Sequence, residues 1–429
     1  DAYARASGEV GVALVTSGPG ATNAVTGIAT AHSDSIPIVV ISGQVASSTI
    51  GTDAFQEVDM VGITRHCVKH NFLVKQVDGL ANTIKKAFYL ARTGRPGPVI
   101  IDVAKDVTQA LHKFCYPQEQ PFIRSYQPVI HAHKGQIKKA VQLFALAKRP
   151  VVFFGGGIVL ANAEEELRRW IQLTGVPCVS SLMGLGAYSA SHPQFLGMVG
   201  MHGTYEANMA MQQADMVLAL GVRFDDRVIS VPEKYLATAK KIIHIDIDPS
   251  SIAKRVPVNV PIVGDIKLAL QAMTYQWEEK RLILDHKGLQ CWWECIEQWR
   301  SFKSLNYSDD EQIIKPQYVI KSLAQLTQNR AYIASDVGQH QMFVAQYYPF
   351  EKSRQWFNSG GLGTMGVGLP YAMGAQLALP QETIFCVTGD GSIQMNIQEL
   401  STCYQFKLPI KIINLNNQYL GMVRQWQEF

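Results

Sequence analysis

The sequence predicts an α/β protein built from three doubly wound parallel-sheet domains, and three observations carry that prediction. Short β-branched runs alternate with helical stretches along the whole chain, the pattern of parallel strands covered by helices. A length of 429 residues, with 47% hydrophobic and 17% charged, supplies several buried cores. The runs end on small or polar residues that open loops, and ligands collect at such carboxyl ends in open α/β sheets.

The first block, residues 1–110, offers "GVALVTS", "IPIVVISG" and "GPVIIDV" as buried strands, with "LANTIKKAFYLART" as a helix between them. The proline-bearing "YPQEQPFIRSYQP" then reads as a surface linker. The second block, 130–275, opens on the amphipathic helix "KGQIKKAVQLFALAK" and continues with strands "RPVVFFGG", "ADMVLALGV" and "KIIHIDID". A polar segment rich in Trp, Lys and Glu follows. The third block, 312–429, has strands "AYIASD", "TIFCVTGD" and "IKIINLNN".

Charge and cysteine content narrow the class. The net charge of +4 is scattered without a basic run, so no nucleic-acid footprint is expected. No apolar run reaches the roughly 18 residues a membrane-spanning helix needs. Seven cysteines without a CxxC pair fit reduced thiols in a cytosol-like compartment. "VVFFGGGIVLANA" does not spell a dinucleotide fingerprint, which disfavours NAD.

One pair of motifs points to chemistry. "GDGS" places Asp390 at the end of one strand, and "NN" places Asn417 at the end of the next. A carboxylate and an amide oxygen are hard ligands suited to Mg²⁺ or Ca²⁺, and Mg²⁺ recruits phosphates to complete its shell. Gly391 and the following helix can present N–H groups to such a phosphate.

This pair resembles the thiamine diphosphate signature. With "SGPGATN", "GTDAFQE", "GVRFDDRV", "VGQHQM", "GGLGTMGVGLP" and "LGMVRQWQ", the whole chain resembles the catalytic subunits of the acetolactate synthase family. The resemblance implies a pyrimidine-binding domain, a central Rossmann-like FAD domain and a diphosphate-binding domain. It implies Mg²⁺ on Asp390, Asn417 and the carbonyl of Tyr419, with the diphosphate on Gly391, Ser392, Gln339 and His340. Gly363 and Met365 would support the bent cofactor, and Met422 would lie near the reacting centre. Decarboxylation of pyruvate and ligation to a second 2-keto acid are the implied reaction. Arg227 would hold the second acid, Trp426 would wall the entrance, and Phe55, Gln56 and Lys105 would line it from the neighbouring subunit. FAD would contact Arg223, the loop "MVGMHG" and Asp246 or Asp248. A homodimer or tetramer with the cofactor at the subunit interface is implied, with a small regulatory subunit as a further partner. The activating glutamate would precede Asp1, and segments are expected beyond both ends. The alternative is another thiamine diphosphate and FAD enzyme, such as pyruvate oxidase or a different carboligase.

Overall fold

The computed structural model describes residues 1–238 and 240–428. Its chain forms two compact units. One comprises Asp1–Pro128, Ser359–Cys386 and Ser392–Lys411; the other comprises Val129–Asn358, Val387–Gly391 and Ile412–Phe429.

The first unit contains a sheet of four parallel strands, β1 (Gly11–Val15), β2 (Ile38–Gln44), β3 (His70–Val74) and β4 (Val99–Ala104), in the order β1-β2-β4-β3. Every residue of β4 is buried, Asp102 included, as befits a central parallel strand. Helix Leu80–Arg92 turns Ala87, Leu90 and Ala91 onto Val99, Ile101 and Val103. Burying each such Val or Ile is worth about 1.5–3 kcal/mol. Helix Ala2–Ser7 packs on helix Gly368–Ala378. Gly374 permits that approach, since a Cβ there would lie 3.0 Å from the Ala2 Cβ.

The second unit holds six parallel strands: β5 (Pro150–Phe154), β6 (Cys178–Ser180), β7 (Phe195–Met198), β8 (Met216–Leu220), β9 (Lys241–Asp246) and β10 (Val260–Val263). Their order is β10-β9-β8-β5-β6-β7. Alternate residues of the buried β5 and β8 point into two separate apolar cores, Val152 and Leu218 into one, Val151 and Val217 into the other. Phe144, Trp170 and Trp277 meet edge-on or tilted in the first core. A third sheet joins β11 (Tyr332–Ser335), β12 (Trp356–Phe357), β13 (Ile384–Gly389) and β14 (Lys411–Leu415) in the order β12-β11-β13-β14.

Three features differ from the sequence expectation. "GVALVTS" was expected to be buried, yet β1 is an edge strand whose Val12 and Leu14 are 58% and 77% exposed. The polar Trp-rich segment contains helix His286–Ser301, which buries Trp292 and donates its indole N–H to the Pro150 carbonyl at 3.0 Å. Strands β3, β6, β7, β10 and β12 add to those read from the sequence. No described helix is long and apolar enough to cross a membrane.

Candidate active site

In the second unit, β13 runs out at Gly389 and Asp390 opens a helical turn, Asp390–Ile393. Its neighbour β14 is followed by a tight loop in which Asn417 Oδ1 accepts the Tyr419 N–H at 3.1 Å, an Asx turn. Asn417 Nδ2 donates to Gln339 Oε1 at 3.4 Å. Gln339 begins helix Gln339–Tyr347, just past β11. Gly421 lies beneath both side chains: a Cβ there would collide with Gln339 Oε1 and stand 2.8 Å from Asn417 Nδ2. A Cβ on Gly391 would stand 2.7 Å from Leu420 Cδ2. The loop ends thus bring Gln339, Asn417 and Gly421 together, with Leu420 against Gly391.

His340 is buried beside this cluster, its ring against Gly338 and Gly389. Burial pushes the imidazole down to about 4, against the opposing pull of the Asp336 carbonyl and the Asp390 charge. Nε2 makes no hydrogen bond to the described residues, a buried polar atom that a ligand would satisfy. Asp390, the Asn417 amide oxygen and the Tyr419 carbonyl are hard oxygen donors of the kind Mg²⁺ takes. The oxygen donors, the half-buried backbone at Gly391 and the unsatisfied His340 nitrogen therefore fit a metal-bound diphosphate.

Elsewhere in this unit, Arg227 lies in the loop after β8, with Nε 3.7 Å from Asp226 Oδ2. Asp225 Oδ1 accepts the N–H groups of Arg227 and Val228, and the Arg227 carbonyl accepts the Met201 N–H at 2.9 Å. Gly200 is required there, since a Cβ would reach the Arg227 carbonyl at 2.6 Å. The Arg227 charge adds to burial in lowering His202, whose carbonyl accepts from Gln346 at 2.9 Å. Arg223 is exposed beyond β8, and Asp246 ends β9 with Oδ1 accepting the Asp248 N–H at 2.8 Å. The glycine run after β5 serves close packing: a Cβ on Gly157 would lie 2.6 Å from Gly221 Cα. Met422 and Trp426 belong to helix Gly421–Glu428, where Trp426 is 58% exposed. Gln339 donates to Gln425 of that helix at 3.4 Å.

In the first unit, Phe55 projects from loop 45–58 with 89% of its surface exposed. Gln56 has φ +60°, and Gly18 of "SGPGATN" lies against it; a Cβ on Gly18 would meet the Gln56 carbonyl at 3.0 Å. Lys105 is exposed at the start of helix Lys105–Gln109, directly after β4. Gly363 has φ +69° in the glycine-rich loop, where Met365 is half-buried; Ser392, on the turn Asp390–Ile393, is buried.

Sequence reading missed the groups that hold these loops. Asp102, 1% exposed on β4, accepts from Ser42 Oγ at 2.6 Å and Gln44 Nε2 at 3.0 Å. The Glu57 carboxylate accepts the N–H groups of Gly51 and Ala54, which lower its pKa. Asp34 accepts the Gly361 N–H at 2.7 Å. An acid inside the apolar run "VIIDVA" was the available signal for Asp102, because a lone charge in a central strand needs partners.

Comparison with known proteins bears out the three-domain fold. Models of the thiamine pyrophosphate enzymes match in three places: the N-terminal TPP binding domain over 1–63, the central domain over 137–273, and the C-terminal TPP binding domain over 336–429. The acetolactate synthase isozyme 3 large subunit of Escherichia coli (strain K12) is 57% identical over all of this chain and 75% of its own. The acetolactate synthase large subunit of Haemophilus influenzae is 55% identical over all of this chain and 74% of its own. The acetolactate synthase of Mycobacterium leprae is 46% identical over 99% of this chain and 68% of its own. With full-chain identities of 55–57% to large subunits and three matching domain models, the chain belongs to the acetolactate synthase large-subunit family of thiamine pyrophosphate enzymes.

Proposed function

We propose that this chain joins two 2-keto acids, decarboxylating pyruvate and ligating the two-carbon unit to pyruvate or 2-oxobutyrate, in branched-chain amino acid biosynthesis. The observation that supports it best is the convergence of Gln339, Asn417 and Gly421, with Gly391 seated on Leu420. Asp390, Asn417 Oδ1 and the Tyr419 carbonyl hold Mg²⁺; the Asn417 oxygen has a second lone pair beyond the one used by Tyr419. Gly391, Ser392, Gln339 and His340 hold the diphosphate. Bound thiamine diphosphate supplies the nucleophilic carbon and the electron sink for decarboxylation.

Gly363 and Met365 set the cofactor's shape, Met365 as an unbranched apolar wedge. Arg227 binds the acceptor carboxylate through its planar fork. Trp426 and Met422 wall the reacting centre, and Phe55, Gln56 and Lys105 serve the acceptor. The carboxyl ends of β5, β6, β8 and β9 present Ser180 Oγ, buried and without a described partner, along with Arg223 and Asp246. That edge suits FAD, and the flavin performs no net redox step in this reaction. The domains run 1–110, 130–275 and 312–429. Homodimers or tetramers place the cofactor at a subunit interface. The large-subunit names of the relatives support a small regulatory partner, and the setting is a bacterial cytoplasm or plastid stroma.

The test is the product formed from pyruvate by the holoenzyme without oxygen. Acetolactate is expected; acetaldehyde as the main product overturns the reading.

A further inference from the structure

Loop 45–58 carries Phe55 and Gln56, and two acids that bracket Lys105 in sequence tie it down at both ends. At its C-terminal end, Gln44 Nε2 donates to the Val58 carbonyl at 2.7 Å and to Asp102 Oδ2 at 3.0 Å. Gln44 Oε1 accepts the Val45 N–H at 2.8 Å. The whole amide is thereby engaged, and the side chain is only 7% exposed. At the N-terminal end, Asp106 Oδ1 accepts the Ser47 N–H at 2.8 Å and its hydroxyl at 3.0 Å. Between these ties Glu57 closes the loop on Gly51 and Ala54, and Gly18 supports Gln56 from below.

Burying Asp102 raises its pKa, chiefly through desolvation and secondarily through Asp59. Such an acid persists in a core only where its hydrogen bonds specify something. Here they aim Gln44 at the Val58 carbonyl, in line with β4 and hence with Lys105. Ser42 and Asp102 are register partners on β2 and β4, which fixes the acid under the loop.

We propose that Gln44, oriented by Asp102, is a positioning residue for the acceptor: it sets where Phe55 and Gln56 stand relative to Lys105, and so which 2-keto acid is ligated. This rests on the reading that assigns those three residues to the acceptor. Gln44 itself touches no substrate. Removing its amide releases the Val58 end of the loop while the Ser47–Asp106 tie and the Glu57 closure persist, so the loop shifts without unfolding. Misplacement by about 1 Å can cost about 100-fold in a positioned reaction, and a partial release should give about tenfold.

The experiment compares Gln44→Ala, Asp102→Leu and Asp102→Asn in the holoenzyme. It measures the acetohydroxybutyrate to acetolactate ratio with pyruvate and 2-oxobutyrate in competition, the KM and kcat for each acid, thiamine diphosphate affinity and Tm. Gln44→Ala and Asp102→Leu should shift the product ratio by about threefold or more and raise acceptor KM about tenfold, with cofactor affinity unchanged. Asp102→Asn retains an acceptor for Gln44 and a donor for Ser42, so it should recover most of the parental ratio even where Asp102→Leu folds poorly. Parental ratio and KM in folded Gln44→Ala overturn the proposal, as does an equal loss of kcat and cofactor affinity without a ratio change. Phe55→Ala, Gln56→Ala and Lys105→Ala run in parallel. If those three leave acceptor KM and ratio unchanged, the acceptor reading itself has failed; if they shift both and Gln44→Ala does not, only the positioning role has.

Discussion

The Arg5 guanidinium stands 2.7 Å from the Asp34 carboxylate, and both side chains are almost wholly buried. The same carboxylate accepts the N–H groups of Gly360 at 3.2 Å and Gly361 at 2.7 Å. Asp34 therefore shares a buried cation with Asp1, whose Oδ1 lies 2.6 Å from Arg5 Nε, and pins the start of the loop that reaches Gly363 and Met365. Breaking a buried pair by removing one partner costs about 3–5 kcal/mol, because the other charge is left uncompensated. Asp34→Ala should lose less than that in urea unfolding, because Asp1 still faces Arg5. The double change Arg5→Met with Asp34→Leu should recover part of the stability, since the buried cation is gone although Asp1 loses its Arg5 partner. It should still bind thiamine diphosphate weakly, because the glycine N–H groups have lost their acceptor. Full recovery of cofactor affinity in the double variant would refute this link.

Gly391 and Leu420 make a second test. A Cβ on Gly391 would meet Leu420 Cδ2 at 2.7 Å, the far end of a flexible side chain that can swing aside. Gly391→Ala should therefore fold normally but weaken the Mg²⁺–cofactor complex by about tenfold, the scale of lost supporting contacts around a metal. Leu420→Ala added to it should restore part of the affinity. On the proposed assignment of Asp390 to the metal, Asp390→Asn should lose affinity that Leu420→Ala does not restore, since charge rather than space has gone. Cofactor titrations at fixed Mg²⁺ separate these outcomes.

The parts of this site that the sequence revealed are those where a short motif closes an apolar run. Asp390 and Asn417 stand out because each follows a strand, and their strands are neighbours in the sheet. The supporting acids were harder to see. Asp102 and Asp34 act on Gln44 and on Gly360 and Gly361 through contacts distant in sequence, and no local pattern encodes that pairing. Strands β6, with three residues, and β12, with two, are too short to show a period. β10 contains Pro261, which demotes a strand assignment; it sits at a sheet edge, where a missing N–H is tolerated. The exposure of β1 was illegible for a different reason. Its β-branched composition suits any parallel strand, and only the order of the folded sheet puts it at the edge.

Arg227 should separate binding from stability. Its side chain is 71% exposed and pairs only loosely with Asp226 at 3.7 Å, a surface contact that contributes little. Arg227→Lys should leave Tm nearly unchanged while raising acceptor KM about tenfold, because a lysine cannot reproduce bidentate carboxylate recognition. Parental KM in that variant would remove Arg227 from the acceptor site.

His244 should give the fold an acid-sensitive limb. It is fully buried on β9, donates its Nε2–H to the Val222 carbonyl across 2.9 Å, and meets Phe224 edge-on. Burial lowers its pKa from 6.5 to about 4, only partly offset by that carbonyl. Between these values the unfolded chain binds a proton that the folded chain refuses. Stability is therefore fully present above about pH 6.5 and falls as pH drops toward 4, by about 3 kcal/mol in the limit. His340 titrates in the same sense, so the parent alone cannot apportion the effect. His244→Gln removes one titration and keeps an N–H for Val222. Urea unfolding of both proteins at pH 7, 6 and 5 should show the parent falling more steeply, with the gap widening as pH decreases. Parallel curves would mean that His244 does not titrate on unfolding. The segment Val222–Phe224 contains Arg223 and leads on to Arg227, so charging His244 should also loosen that loop first. Acceptor KM should then rise in acid before global unfolding begins, and less so in His244→Gln.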